Sequence, residues 1–217
     1  MAQTREAAIV GIHEYPLRVA PGVSALQIKA ASASKALEDA GLSWQDVDAV
    51  FDTGSHQNIG GLGISEYLGM NPRLIDNTSV GGTSYEFQAH HASTMIASGK
   101  ANVALLTYGS TAHSDRRAIG TAGATGQGSP TPFNNMEDPW GMTLISGYGM
   151  VKARHMHQYG TTNEQFAEIS VATRYHAMRN PEAVKAMTAL EFVGVNEITT
   201  QDVLDSRMIA WPLHLLE

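Results

Sequence analysis

Nine histidines, a glycine pair with a third glycine close behind, and serines placed after strand-like runs are the residues here that could carry chemistry. Histidines could ligate a metal, but two on one helix need i, i+4 spacing to converge. His90 and His91 are adjacent and point about 100° apart on a helix, and His155 and His157 about 200° apart. Glu86 and His90 share a helical face, which a single hydrogen bond explains. No metal site is expected from these spacings. Gly61-x-Gly63 would need its third glycine at position 66 to read as a dinucleotide fingerprint, and Glu66 stands there. Neither a GxxxxGK[ST] phosphate loop nor a GxSxG nucleophile turn occurs. Gly54-Ser55 and Gly109-Ser110 follow strand-like runs, where serine is most often a turn residue. The chain has no cysteine. That removes disulfides, thiolate metal sites and a cysteine nucleophile.

The segment richest in information runs from Asn77 to Leu106. It reads as a strand end, a turn of small residues, a helix opening at Gly81-Gly82, and a Gly99-x-Ala101-Asn102 link to another strand. Such a helix start presents free backbone N–H groups and the positive end of the helix dipole. The helix itself carries Ala89, Ala92, Ser93 and Ala97, a small-sided surface that suits packing on several faces. Taken alone, the segment also reads as a close-packed helix with a glycine-tight entry.

The elements around it alternate. Ala7–His13 reads as a buried strand. Ser24-x-x-Gln27 is a capping box that opens a helix with Leu26, Ala30, Ala33, Leu37 and Ala40 on one face, stopped by Gly41. Val47–Phe51 is the next strand, followed by a turn at Asp52. Gly60-Gly61-x-Gly63 reads as a loop into a short helix over Ile64–Leu68, and Leu74-Ile75 starts a third strand. Thr83–Ala97 is a helix and Asn102–Thr107 a fourth strand. This alternation predicts an α/β layer with a largely parallel sheet. Residues 110–135 are rich in Gly, Thr, Ser and Pro and read as an extended excursion. Two helical patterns follow, from about Gly141 to Tyr159 and from a Thr162-x-x-Gln165 box to Asn180-Pro181, with a third short helix near Thr200. The expected division is 1–109 as an α/β core and 110–217 as a helical subdomain.

Composition narrows the class further. In 217 residues, 43% are apolar and 16% charged, which suits a folded chain with a proper core. Fourteen Lys and Arg stand against 21 Asp and Glu, a net charge of −7. No basic run exceeds Arg116-Arg117, so no phosphate-tracking stripe exists and nucleic acid is not an expected partner. No apolar stretch approaches the roughly 20 residues that span a bilayer. The N-terminus lacks the apolar segment of a signal peptide, so a cytoplasmic protein is expected.

The Asn77–Asn102 segment resembles the nucleophile region of the thiolase superfamily, particularly the sterol-carrier-protein-X-type thiolases and the lipid-transfer-protein relatives. In that pattern an Asn-x-x-x-x-Cys-Ser-x-Gly turn precedes a central helix ending in Gly-x-Ala-(Asp/Asn). Counted back from Gly99–Asn102, the family cysteine falls on Gly82. Other blocks agree in order: Ala7–Ile12 resembles the opening strand and Ala36–Asp48 the first helix and turn. Gly141–Thr143, Met156–Thr162 and Glu164-Gln165 resemble the loop subdomain that covers acyl-CoA. Asp205–Leu216 resembles the return to a second core half. The likeness spans essentially the whole chain and implies the N-terminal half of a thiolase-like layered core plus a helical loop subdomain.

The departures from the pattern shape the expected function. Gly82 cannot act as a nucleophile, and Thr83 or Ser84 has no evident base to activate it. Pro139-Trp140-Gly141 stands where many thiolases place a substrate-contacting His. The resemblance implies a second core half with further catalytic residues, and nothing in this chain matches them. Cysteine-free members of similar character are steroid side-chain retro-aldolases that work with a partner carrying an OB fold and a zinc ribbon. The resemblance therefore implies retro-aldol cleavage of a β-hydroxyacyl-CoA, with the coenzyme A thioester as substrate and no resident cofactor. Its alternatives are a non-catalytic acyl-CoA or lipid-binding or scaffold module and, less favoured by the missing cysteine, an acyltransferase. Gly81, Gly82, Thr83 and Ser84 at the helix start, and Trp140, Gly141, Met142 and Thr143 in the loop subdomain, are the implied substrate-binding residues. A homodimer through an edge strand resembling Ala101–Tyr108 is also implied.

Overall fold

A computed structural model describes residues 6–53, 60–115, 143–192 and 194–217. The chain divides into two compact units, Met1–Asp115 and Arg116–Glu217.

In the first unit, helix α1 (Ala25–Ala40) begins at the capping box expected for it: Ser24 accepts from the Gln27 backbone, and the Gln27 side chain returns the bond. Gly41 ends it in the left-handed conformation at φ 67°. Strand β1 (Ala49–Asp52) follows a short 3-10 turn at Trp44–Asp46. Helix α2 (Gly60–Leu68), strand β2 (Leu74–Asp76), helix α3 (Ser84–Ala97) and strand β3 (Ala104–Thr107) complete the unit. The sheet order is β2-β1-β3, and both pairings are parallel. The expected largely parallel α/β layer is present.

Strand β1 is buried along its whole length, and up to Asp52 both of its faces are apolar. Val50 joins Ala33, Leu37, Val47, Ile64 and Leu105 on the side of α1 and α2. Ala49 and Phe51 join Ala92 and Ala101 on the side of α3. The alternation is the period of two that a strand imposes. Burial of a side chain the size of Phe51 contributes about 1.5–3 kcal/mol.

Three expectations need correction. Ala7–His13 is not a strand: the segment is irregular, and Ile9, Val10 and Ile12 are 87%, 62% and 74% exposed. A strand needs a ladder partner, and among the described residues none pairs with this one. It is tied instead to α1, where the Ile12 N–H donates to Asp39 at 3.0 Å and Gly11 lies so near Ala36 and Ala40 that a Cβ would collide. Gly60 and Gly61 are not loop residues but the buried first turn of α2. A Cβ on Gly61 would sit 2.7 Å from Ile75, so glycine here permits close helix–sheet contact. Helix α3 is buried along a single line, Ser84, Gln88 and Ala92, rather than on several faces.

The second unit is mainly helical: α4 (Leu144–Tyr159), α5 (Asn163–Met178), α6 (Pro181–Ala189) and α7 (Thr200–Asp205), then a two-stranded hairpin of β4 (Met208–Ala210) and β5 (Leu213–His214). Thr143, Thr162, Asn180 and Thr199 cap the four helices with side-chain oxygens. Helix α6 escaped the sequence reading, although Asn180 before Pro181 is an N-cap followed by proline at the first helical position. Glycine at 149 lets α4 lie on the hairpin, 2.9 Å from the Trp211 carbonyl for a would-be Cβ. Buried Lys152 donates to the Pro212 carbonyl at 3.0 Å and pairs with Glu217. Two different architectures thus share one chain.

Candidate functional site

Strands β1, β2 and β3 run in parallel, so their carboxyl ends share one edge of the sheet, the edge where ligands bind in α/β layers. The turn after β2 brings the chain into α3 at that edge. Five bonds from four side chains hold this turn. Asp76 Oδ1 accepts from the Thr78 N–H at 2.7 Å, and Asn77 Oδ1 accepts from the Gly61 N–H at 2.7 Å. Gln88, fully buried, donates through Nε2 to the Thr78 carbonyl at 3.1 Å. Ser84, also fully buried, accepts from the Val80 N–H at 2.8 Å and donates to the Gly81 carbonyl at 2.6 Å.

Gly81 needs its glycine, at φ 77°. Gly82 does not: its φ is ordinary, and an added Cβ would meet nothing within 4 Å. The absence of a side chain at 82 is therefore no demand of packing. Thr83 donates to the Val80 carbonyl at 3.1 Å. The hydroxyls of Thr83 and Ser84 are both bonded to backbone carbonyls, which suits turn-holding and gives neither a base. Gly81–Ser84 are contiguous here. Thr143 belongs to the second unit, where its oxygen caps α4 by accepting from the Ser146 N–H at 3.0 Å. Trp140, Gly141 and Met142 lie outside the described residues.

Beside the helix start, the same edge carries a cluster that the sequence did not single out. Lys29 of α1 and Asp52 at the end of β1 form an ion pair of 2.7 Å, with both side chains 1% exposed or less. Thr107, the register partner of Asp52 on β3, donates to the other carboxylate oxygen at 2.5 Å. The next residue, Thr53, lies 3.1 Å from the Tyr85 hydroxyl in the first turn of α3. The Tyr85 ring meets Tyr108 edge to face, with centroids 5.3 Å apart. Burial raises the Tyr85 phenol above its ordinary pKa against the opposing Thr53 bond, with Tyr108 and the Asp52 charge adding to the rise. The signal available in the sequence was a lysine between Ile28 and Ala30, and an aspartate directly after an apolar strand.

Among the histidines, His91 Nδ1 lies 2.7 Å from Asp76 Oδ2 at the end of β2. Burial alone would raise the Asp76 carboxyl, but the bonds from Thr78 and His91 outweigh it and hold the group below the usual carboxylate range. Among the described residues no three His, Asp or Glu side chains converge as a metal cage, and no helix is long and apolar enough to cross a membrane.

No family model matches the chain. It is 32% identical over 98% of its length to the 17-hydroxy-3-oxo-4-pregnene-20-carboxyl-CoA lyase of Mycobacterium tuberculosis, covering 54% of that protein. It is 31% identical over 97% of its length to the steroid side-chain-cleaving aldolase of Thermomonospora curvata, covering 53%. An acetyl-CoA acetyltransferase of Methanothermobacter thermautotrophicus is 28% identical over 98% of the chain. The chain therefore spans about half the length of the curated relatives it matches. Among solved structures, an Ltp2-ChsH2(DUF35) aldolase superposes with a TM-score of 0.74 at 27% identity, over 97% of this chain and 51% of that one. A monomeric SCP2-thiolase-like protein of Mycobacterium smegmatis shares the fold at a TM-score of 0.60, 17% identity and 95% coverage of this chain. The chain has the thiolase-like fold, and its homologues are steroid side-chain lyases and aldolases together with thiolases.

Proposed function

We propose that this chain is one half of a thiolase-like enzyme that cleaves a β-hydroxyacyl-CoA by retro-aldol chemistry, the acyl group being a steroid or related lipid side chain. The observation that carries the reading is Gly82: where the thiolase-like turn has its cysteine, this chain has no side chain, and packing does not require that. The matches to a pregnene-carboxyl-CoA lyase and a steroid side-chain-cleaving aldolase, over 97–98% of this chain and about half of each relative, support it.

Retro-aldol cleavage needs no acyl-enzyme. A base takes the β-hydroxyl proton, the Cα–Cβ bond breaks, and the electron pair passes to the thioester as its enolate. The enolate then takes a proton at Cα, and a carbonyl compound and a shortened acyl-CoA leave. In the first unit, Gly81–Ser84 would supply a wall and backbone amides at the helix start. In the second, Trp140–Thr143 would contact the coenzyme A thioester. The base and the enolate-stabilising groups are expected in a second core half. A homodimer, an OB-fold zinc-ribbon partner subunit, a cytoplasmic location and a functional division at 109/110 belong to the same proposal. The similar Ltp2-ChsH2(DUF35) aldolase, named for two proteins, supports the partner.

A second reading, an acyl-CoA or lipid-binding or scaffold module without catalysis, has support in the hydroxyls of Thr83 and Ser84, both committed to backbone carbonyls. Incubation of the chain, its second core half and a zinc-ribbon partner with a β-hydroxyacyl-CoA separates the two. Release of ketone or aldehyde with equimolar shortened acyl-CoA is the expected result. Binding without release would sink the retro-aldolase reading and leave the binding module.

A further inference from the structure

The tyrosine cluster beside the α3 start has no part in holding the turn. Ser84, Gln88, Asn77 and Asp76 already do that. Yet the chain places a fully buried ion pair directly beneath it. Burying Lys29 and Asp52 costs several kcal/mol per ion before their attraction and hydrogen bonds offset it. The arrangement fixes three elements at one point: α1 through Lys29, β1 through Asp52, and β3 through Thr107. Gly109 completes it, since a Cβ there would lie 2.7 Å from the Ala25 carbonyl and 2.8 Å from the Lys29 side chain. The residues that leave this point are Thr53 and Tyr108. Thr53 orients the Tyr85 hydroxyl, and Tyr108, 62% exposed, turns its ring outward against Tyr85.

We propose that Tyr85 and Tyr108, positioned by Thr53 and by the Lys29–Asp52–Thr107 network, form the wall that recognises a flat, ring-bearing acyl group. The inference rests on the acyl-CoA reading and names the part of the chain that selects the acyl portion. An edge-to-face aromatic pair offers a rigid apolar surface with little rotamer freedom to lose, and so suits fused rings. The phenol supplies one polar point for an oxygen substituent on them. A short straight acyl chain would gain little from either. Lys29 and Asp52 act through the tyrosines and are positioning residues.

The test uses the chain assembled with its second core half and partner, and two coenzyme A thioesters: one with a fused-ring acyl group, one with a short straight chain. Tyr108 is exposed, so Tyr108→Ala should leave the fold intact. It should weaken the ring-bearing thioester roughly tenfold while the short thioester changes less than about twofold. Tyr85→Phe keeps the ring and should raise KM for an oxygenated ring several-fold with kcat little changed. The double variant Lys29→Met/Asp52→Leu should fold, yet lose the same selectivity and move the Tyr85 phenol titration. Equal effects on both thioesters, no effect on either, or a changed oligomeric mass with selectivity intact would overturn the inference. If the unaltered assembly binds neither thioester, the acyl-CoA reading itself falls and takes this one with it.

Discussion

At the scale of single residues, Gly82 separates chemistry from architecture. Glycine at Gly81 answers a left-handed backbone, and glycine at Gly61 and Gly109 answers close neighbours. Gly82 answers neither, so a side chain there is tolerated. Gly82→Cys and Gly82→Ser should unfold within about 1 kcal/mol of the parent chain in urea, since only unfolded-chain entropy changes. The Gly82→Cys thiol should also react with a disulfide reagent at a pH below the ordinary value of about 8.5, because it sits at a helix N-terminus. A loss of several kcal/mol, or an unreactive thiol, would show that the backbone at 82 is more constrained than its φ implies. The turn hydroxyls were visible in the sequence as residues. Their commitment to the Gly81 and Val80 carbonyls was not, because a serine at a helix start has the same letters whether it caps, braces or attacks.

At the scale of elements, two carboxylates join strands that are far apart in sequence. Asp48 accepts from the backbone N–H groups of Asn102 and Val103 and from the Asn102 amide, at 2.9–3.0 Å. Burial opposes its charge, but those bonds hold the carboxyl below the usual range. Its folded pKa therefore lies under the unfolded value of about 3.9, so its contribution is present above that pH and disappears as pH falls through the folded value. Asp48→Asn should cost about 1–2 kcal/mol near pH 7, and the difference should shrink in acid below about pH 4. A pH-independent difference would point to packing alone. Asp52 acts differently, since its partner is a buried cation. Lys29→Met should destabilise the chain by about 3–5 kcal/mol, and adding Asp52→Leu should recover most of that, as read by denaturant midpoints.

At the scale of the whole molecule, the first unit leaves apolar surface uncovered. Ile9, Val10 and Ile12 are exposed beside α1, and Phe87 is exposed on α3. Apolar area of this kind marks interaction sites in folded proteins. Co-expression with the second core half of a thiolase-like enzyme should yield a stable assembly of higher solution mass. Ile9 and Val10 amide hydrogens should be protected from exchange in that assembly and rapidly exchanging without it. Rapid exchange in both states would place the contact elsewhere.

The caps and stops of this protein were legible in its sequence because they are local. Ser24 with Gln27, Thr162 with Gln165, Gly41 and Gly160 act within a few residues of themselves, so their types and spacing suffice. The parallel α/β order was legible for a similar reason: strands buried on both faces are short apolar runs between helical periods. The sequence alone also determined that no thiolate chemistry is possible here. Tertiary structure decided what depends on residues distant in the chain. It made Ala7–His13 irregular, because a strand exists only with a partner. It moved the Gly60-Gly61 pair into a helix, because Val50 and Ile75 press against it. It also brought Lys29, Asp52, Thr107, Thr53, Tyr85 and Tyr108 to one edge of the sheet. Charge burial and side-chain pairing across 23 to 55 residues leave no trace in local periodicity, and only folding brings such groups within bonding distance.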